Sequence, residues 1–224
     1  MKNSPELAVM VPMIRQSRLI DELMTMLETF GPIRSMSISL SAPSVFGSLG
    51  ARVFETMDLI RTLVGVPQLI DASYQSAHRL GSSSGIHPLP GQSLRDLEGI
   101  LTSHLRMPDG RGVVLQVTDQ VGISVFEMSI LGSDGQILLH DQGFKRFDER
   151  GSLIDSFELA TDRERDPTAS RMSEQLIQLC SGVGPIRAPI DQPSVIAMGH
   201  AALLSVRTGQ GETPSTIRKL LMEV

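Results

Sequence analysis

The chain has 224 residues, of which 41% are hydrophobic and 20% charged, a composition typical of a globular protein with a sizeable core. The 20 Lys and Arg residues against 25 Asp and Glu give a formal charge of −5. With no basic run and only 4% aromatic residues, this balance argues against a nucleic-acid partner. The single cysteine, Cys180, excludes an internal disulfide framework and is typical of a reducing compartment. No apolar stretch approaches the roughly 20 residues that a membrane span needs, and the N-terminus lacks a secretory-signal layout. We therefore expect a soluble, cytoplasmic protein.

Helix and strand patterns alternate over the first third of the chain. Apolar residues spaced by three and four predict a helix over 17–29, which Gly31-Pro32 ends. Residues 34–42 alternate strictly between serine and apolar side chains, which predicts a strand with one buried face. A second helix follows Gly47-Ser48-Leu49-Gly50 and ends at Gly65, and residues 68–77 predict a second strand.

The pattern over the remainder of the chain predicts a run of strands followed by helices. A long loop rich in Ser, Gly and Pro is expected at 80–93. Strands joined by glycine-containing turns are predicted over 100–107, 113–119, 123–131, 136–140, 144–148 and 153–159. Helices are predicted around 172–180, over 195–206, and from Pro214, with Thr213 as its N-cap. Segregated strands and helices predict an α+β fold, a large mostly antiparallel open sheet with helices packed on one face.

Several motifs follow one another along the chain: VMVPMIR at 9–15, FGPIR at 30–34, DLIRTLVG at 58–65, SILGSDG at 129–135 and AALLSVRTGQG at 201–211. In this order they resemble the C-terminal domain of the glucose–fructose oxidoreductase/inositol dehydrogenase (Gfo/Idh/MocA) family. The resemblance implies that residues 1–14 are the remnant of the exit strand of a nucleotide domain and that residues 15–224 form the α+β domain. It also implies NAD or NADP as cofactor, bound outside this chain, and a sugar or polyol as substrate.

Features that the family uses for chemistry are missing from this sequence. No G-x-G-x-x-G occurs, and no Glu-Lys-Pro supplies a lysine, so we predict no catalytic or cofactor-binding residues. The five histidines show no i, i+4 pairing and no cysteine neighbour, so we predict no metal site either. The family's helix motif D-x-G-x-H-x-x-D, aligned on Asp58, places Ala51, Val53 and Glu55 at its first three marked positions. Alanine cannot move a proton, whereas a buried Glu55 could act as a base.

Three residues are candidates for a ligand pocket: Arg15, Glu55 and His104. Arg15 suits capture of a carboxylate or phosphate, with pairing to Asp21 or Glu22 as the structural alternative. Glu55 is more commonly a solvated or salt-bridged residue, and a local pair with Arg52 is one such role. His104 lies on a predicted strand, where a hydrogen-bonded structural histidine is the commoner role.

Three functions remain open at this point. The chain is expected to be the substrate-binding and oligomerisation domain of an NAD(P)-dependent oxidoreductase, working with a nucleotide domain in cis or in trans. The alternative is a stand-alone, non-catalytic dimer that binds a ligand or acts as a scaffold. A third hypothesis is a cofactor-free isomerase or lyase using Glu55. In the first two, the serine-rich sheet face forms the homodimer or a higher oligomer, because small polar and apolar side chains alternate there.

Overall fold

The structure, a computed structural model, describes residues 14–15, 17–76, 94, 97–159, 177, 181 and 190–222. Four helices lie in these residues: α1 (Arg18–Leu27), α2 (Leu49–Val64), α3 (Gln192–Thr208) and α4 (Pro214–Met222). Eight strands make one sheet: β1 (Ile33–Ser41), β2 (Leu69–Ser76), β3 (Gly99–Arg106), β4 (Gly112–Thr118), β5 (Val125–Gly132), β6 (Gly135–His140), β7 (Gly143–Phe147) and β8 (Leu153–Glu158). A single 3₁₀ turn, Ser44–Phe46, precedes α2. No helix among these residues is long and apolar enough to cross a bilayer.

The sheet order is β2-β3-β4-β1-β5-β6-β7-β8, and all neighbours are antiparallel except β1 and β4. The chain leaves β1, forms α2, adds the β2–β3–β4 meander, and returns so that β4 lies parallel beside β1. From β4 it passes to β5, on the other side of β1. The carboxyl ends of β1 and β4 therefore meet at one edge of the sheet, next to the start of α2.

The core lies between the helices and one face of the sheet. Alternate residues of the strands are buried there, among them Met36, Ile38, Leu101, Leu115 and Met128. Helix α2 contributes Val53, Met57 and Ile60, all of them fully buried. We call the opposite side the outer face. It carries the serines of β1 and the exposed or half-buried residues of β3 to β6.

Edge strand β2 is covered by the C-terminal helices. Ser205 on α3 accepts a hydrogen bond from the backbone N–H of Ala72 at 2.9 Å. Ile70 and Glu212 exchange backbone hydrogen bonds at 2.8 Å in both directions. These contacts occupy donors and acceptors that a free edge would present to another strand.

The expected fold class is confirmed, and the predicted strands and helices that lie in the described residues match to within a few residues. The predicted loop at 80–93 and, apart from residue 177, the predicted helix at 172–180 lie outside the described residues. The parallel pairing of β1 with β4 was not predicted, because it depends on contacts about 75 residues apart along the chain rather than on local pattern.

Candidate functional site

The family motif that carries substrate chemistry aligns with the first half of α2, beginning near its amino end. Ser48 caps the helix, and its hydroxyl accepts a hydrogen bond from the N–H of Ala51 at 3.2 Å. The backbone of Leu94 packs directly on Gly50, where a Cβ would overlap its carbonyl oxygen. The first turn of α2 is therefore occupied by its own cap and by a neighbouring segment.

The two motif positions on α2 differ in environment. Ala51 is exposed and carries no group that could hold or move a proton. Glu55 lies one turn further along and is half-buried. Of these two positions, only Glu55 can accept a hydrogen bond from a ligand hydroxyl or act as a base.

Arg52 lies between these positions and is buried, with 6% of its surface exposed. Its Nη2 donates to the carbonyl oxygen of Pro43 at 2.7 Å, which ties α2 to the carboxyl end of β1. Burial lowers the pKa of Arg52, while the carboxylates of Asp119 and Glu55 act in the opposite direction. Arg52, Glu55 and Asp119 thus form one charged cluster, and a direct ion pair between Arg52 and Glu55 stays a prediction.

Asp119 belongs to this cluster and was not predicted. It follows β4, is 4% exposed, and accepts hydrogen bonds from Gly99 N at 2.8 Å and Gln120 Nε2 at 2.6 Å. Ala42 donates to the carbonyl of Thr118, so the residues that follow β1 and β4 lie side by side. Only the parallel pairing of these strands brings Asp119 near Arg52, and no local sequence signal indicates it.

Arg15 reaches the middle of α2 rather than its amino end. Its Nε lies 3.1 Å from Oδ2 of Asp58, and its Nη1 lies 3.5 Å from the hydroxyl of Thr62. Asp58 is fully buried. Burial raises the pKa of Asp58, and the positive charges of Arg15 and Arg61 offset only part of that effect.

His104 lies on the other side of the sheet. It is exposed on the outer face and lines a hollow of 580 Å³ together with Ser37, Arg106 and Ser129. The structure therefore places Arg15 and Glu55 on the helix-covered side and His104 on the outer face. A single pocket cannot contain all three.

Among the described residues, no group of three His, Cys, Asp or Glu side chains is arranged to hold a metal ion. A nicotinamide cofactor requires a glycine-rich strand-to-helix turn whose amides face the pyrophosphate. The turn from β1 into α2 does not fit this group, because Ser48 caps the helix and Leu94 covers Gly50. In the described part of the chain, this turn offers no nucleotide cradle.

Neither family models nor curated proteins match the sequence. Solved structures do match the fold. A levoglucosan dehydrogenase in complex with NADH and L-sorbose superposes with a TM-score of 0.69 at 13% identity, covering 92% of this chain and 65% of that one. An oxidoreductase from Agrobacterium radiobacter in complex with NAD⁺, L-tartaric acid and magnesium gives 0.64 at 16% identity, covering 93% and 65%. A UDP-N-acetylglucosamine 3-dehydrogenase from Acidithiobacillus ferrooxidans gives 0.60 at 16% identity, covering 93% and 62%.

These matches confirm at the level of the fold the resemblance found in the sequence. The chain shares its fold with the part of these oxidoreductases on which it superposes. It spans about two thirds of the length of the dehydrogenases that it matches, 65% in the case of the levoglucosan enzyme.

Proposed function

We propose that this chain is the substrate-binding and oligomerisation domain of a cytoplasmic NAD(P)-dependent oxidoreductase that acts on a sugar or polyol. On this proposal the chain is not catalytically competent alone. A nucleotide-binding domain, in cis or in trans, binds the nicotinamide and supplies hydride chemistry. This chain binds the hydroxyl compound beside α2.

One observation carries the proposal: the chain superposes over 92% of its length on a dehydrogenase whose structure holds NADH and a sugar, yet spans 65% of that protein. Fold alone does not define function, so the local geometry has to agree. Two local features support the proposal. The turn from β1 into α2 is closed to a dinucleotide, so the cofactor would be bound elsewhere. The half-buried Glu55 aligns with the acid–base position of the family motif. Glu55 would accept the hydrogen bond of a substrate hydroxyl.

The oligomerisation part of the proposal comes from the outer face. Within the described residues, helices cover one side of the eight-stranded sheet, and the other side exposes apolar side chains such as Val114, Leu131 and Leu138 among serines. A broad, semi-polar face of this kind fits an interface between two copies of the chain.

A second candidate function is favoured by Ala51. If this position needs an acid, as in the family motif, the chain would be a non-catalytic dimer that binds a ligand or serves as a scaffold. This alternative predicts the same dimer and no turnover of any polyol, even when a nucleotide domain is present.

The test begins with the native polypeptide purified from its source, for which intact mass, NADH and NADPH titration and polyol oxidation are measured. The 24.3 kDa chain is titrated in parallel as the control. The proposal expects nicotinamide binding and polyol oxidation by the native species, alone or with its nucleotide-binding subunit, and no nicotinamide binding by the chain. Micromolar NADH binding by the chain alone would contradict it. Nicotinamide binding without polyol oxidation would favour the non-catalytic alternative.

A further inference from the structure

The 580 Å³ hollow on the outer face is lined by four side chains that can carry a charge: Asp71, His104, Arg106 and Arg111. Arg111 is balanced by Asp109, whose carboxylate lies 2.7 Å from its Nε. Asp71 lies directly opposite His104 across β2 and β3, and it accepts a hydrogen bond from the hydroxyl of Ser205 at 3.4 Å. Arg106 makes no ion pair and no side-chain hydrogen bond in the described part of the chain. Its guanidinium is therefore the uncompensated charge in the hollow.

The strand register leaves an open space next to Arg106. Gly112 is its direct neighbour on β4, and Ser35 follows in the same row on β1. A Cβ built on Gly112 would meet no heavy atom within 4 Å, so the space above this glycine is empty. Because neighbouring strands lie about 4.8 Å apart, the backbones that carry Arg106 and Ser35 are separated by about 10 Å. A phosphate or carboxylate group fits into this gap beside the guanidinium.

Three hydroxyl groups form the bottom of the hollow, and we call Ser35, Ser37 and Ser129 the serine floor. Ser37 and Ser129 are direct neighbours across β1 and β5. The Oγ of Ser129 accepts a hydrogen bond from Nε2 of Gln136 at 3.1 Å, which leaves its own proton available to a ligand. Ser35 and Ser37 make no side-chain hydrogen bond within the described residues. A hydroxyl both donates and accepts, so the serine floor can bind hydroxyl groups of a ligand.

We propose that this hollow binds a small hydroxylated anion, a sugar phosphate or a sugar acid, with its charged group over Gly112 against Arg106 and its hydroxyls on the serine floor. The guanidinium offers two parallel N–H groups to a phosphate or a carboxylate. The inference goes beyond the proposed function, because the hollow lies on the opposite side of the sheet from Glu55. All of the binding groups come from one chain, so binding does not require the outer-face dimer.

Asp71 determines which end of the hollow takes the charged group of the ligand. It lies on β2, opposite His104 and two residues along the strand from Leu69, the direct neighbour of Arg106. Its carboxylate repels an anion, whereas the guanidinium of Arg106 attracts one. The anionic group is therefore held at the Gly112 side of Arg106, away from β2.

Isothermal titration calorimetry in low-salt buffer tests the site with three compounds that share one ring and differ at its sixth carbon: glucose 6-phosphate, glucuronate and glucose. At least one of the two anions should bind with a Kd below about 1 mM. Glucose should bind at least about tenfold more weakly, because hydrogen bonds to a charged group are the stronger ones. The better of the two anions identifies phosphate or carboxylate as the recognised group. Inorganic phosphate, which cannot reach the serine floor, should bind more weakly than glucose 6-phosphate.

Two glycine variants test the position of the anion without changing any charge. Gly112→Val fills the space beside Arg106 and should weaken anion binding at least about tenfold. It should not lower the Tm, because valine suits a strand better than glycine does. Gly122→Val is the matched control. A Cβ on Gly122 also meets no heavy atom within 4 Å, but Gly122 lies between β4 and β5 and does not line the hollow, so anion binding should be unchanged.

Two charge variants test the electrostatic part of the inference. Arg106→Met should weaken anion binding at least about tenfold, because the two-pronged contact is lost. Asp71→Asn should tighten anion binding about twofold or more, because a like charge is removed. Circular dichroism melts of every variant show whether a change in affinity reflects unfolding.

The inference is overturned if neither anion binds to the wild type, or if glucose binds as tightly as the better anion. Unchanged affinity in Gly112→Val or in Arg106→Met overturns it as well. Equal affinity for inorganic phosphate and glucose 6-phosphate would overturn the role of the serine floor. Sedimentation equilibrium in the same buffer reports the association state separately, so a failure of the outer-face dimer and a failure of the anion site are distinguishable.

Discussion

Arg15 and Asp58 form an ion pair in which the carboxylate is fully buried, with 3.1 Å between Nε and Oδ2. Asp58 lies in the middle of α2, among residues that pack against the sheet. Arg15 lies just before α1, so this ion pair holds the segment that leads into α1 against helix α2. A ligand-binding role for Arg15 stays a prediction, but its structural role is visible.

Replacing Arg15 by methionine should be strongly destabilising, because Asp58 would remain buried without its cation. We expect the free energy of unfolding to fall by about 3–5 kcal/mol near neutral pH, measured by urea denaturation. Arg18→Met is the matched control: Arg18 pairs with Glu22 at 3.7 Å, and both side chains are at least 40% exposed. That exposed pair should contribute less than about 1 kcal/mol. Equal losses in the two variants would contradict the importance of the buried pair.

The free energy of unfolding should depend on pH partly through the protonation of Asp58. Burial raises the pKa of Asp58 above its ordinary value, so the folded state retains this proton to higher pH than the unfolded state does. The contribution to stability is then complete below the unfolded pKa and is lost as pH rises through the raised folded pKa. Asp58→Asn should remove this component, and Arg15→Met should be less destabilising at about pH 4 than at neutral pH. A loss in Arg15→Met that is the same at both pH values would contradict this account.

Asp191 should show the opposite pH dependence. Its carboxylate caps α3 through Ser194 and lies 3.0 Å from Nη2 of Arg61. Burial acts to raise the pKa of Asp191, but the hydrogen bonds from Ser194 and the charges of Arg61 and Arg218 outweigh it, and the pKa is lowered. Its contribution is present above the unfolded pKa and is lost as pH falls through the folded pKa.

Two substitutions separate the roles of Asp191. Asp191→Ala removes both the cap and the charge and should cost about 1–2 kcal/mol at neutral pH. Asp191→Asn keeps a capping oxygen, so it should cost less and should abolish the acid-dependent component. Thermal melts from acid to neutral pH measure both effects. If Asp191→Asn keeps the wild-type pH profile, another group is responsible.

The close approach of Leu94 to α2 reverses the usual effect of a helical glycine-to-alanine change. Alanine normally favours a helix over glycine by about 1 kcal/mol. At Gly50 the new Cβ would overlap a backbone carbonyl that cannot rotate away. Gly50→Ala should therefore destabilise, by about 1–3 kcal/mol. At Gly199 on α3 the Cβ would meet only the side chain of Leu94, with Cδ1 at 2.8 Å, so Gly199→Ala should cost less. A more stable Gly50→Ala protein would show that Leu94 does not pack there.

Cross-linking should test the proposed outer-face dimer. Val114 is exposed on β4, inside the sheet rather than at its edge, so a cysteine there would lie within an interface formed by this face. Val114→Cys in a Cys180→Ser background should yield covalent dimers with a short bifunctional maleimide. Thr25→Cys in the same background is the control, since Thr25 is exposed on α1, on the helical side of the sheet. Equal cross-linking of the two variants would indicate random collision rather than a defined interface.

Local features of this fold were predictable from the sequence because each depends on neighbours along the chain. The alternation of Ser35, Ser37 and Ser39 with Met36 and Ile38 predicted β1 and its buried face, and the structure has both. The spacing of Val53, Met57 and Ile60 predicted the buried side of α2 in the same way. Turn residues such as those at 108–110 predicted the hairpin of β3 and β4.

The two-residue period of strand β3 could also have identified Arg106, which lines the outer-face hollow with His104 and was not predicted. Arg106 is two residues from His104 on a strand, so strand geometry alone places both on the outer face. The sequence could not indicate that this side of the sheet is turned away from Glu55. That separation depends on which face the helices cover.

Tertiary structure alone decided the contacts that give the candidate site its chemistry. The sequence offered a ligand, Asp21 or Glu22 as partners of Arg15, and it did not indicate the ion pair that Arg15 forms with Asp58, 43 residues away in the sequence. Arg52 was expected to pair locally with Glu55; the sequence did not indicate that Arg52 is buried or that it also lies near Asp119, because β4 returns parallel to β1. Local pattern reports burial and periodicity, whereas ion pairs between distant segments depend on the path of the whole chain and on the low dielectric that its packing creates.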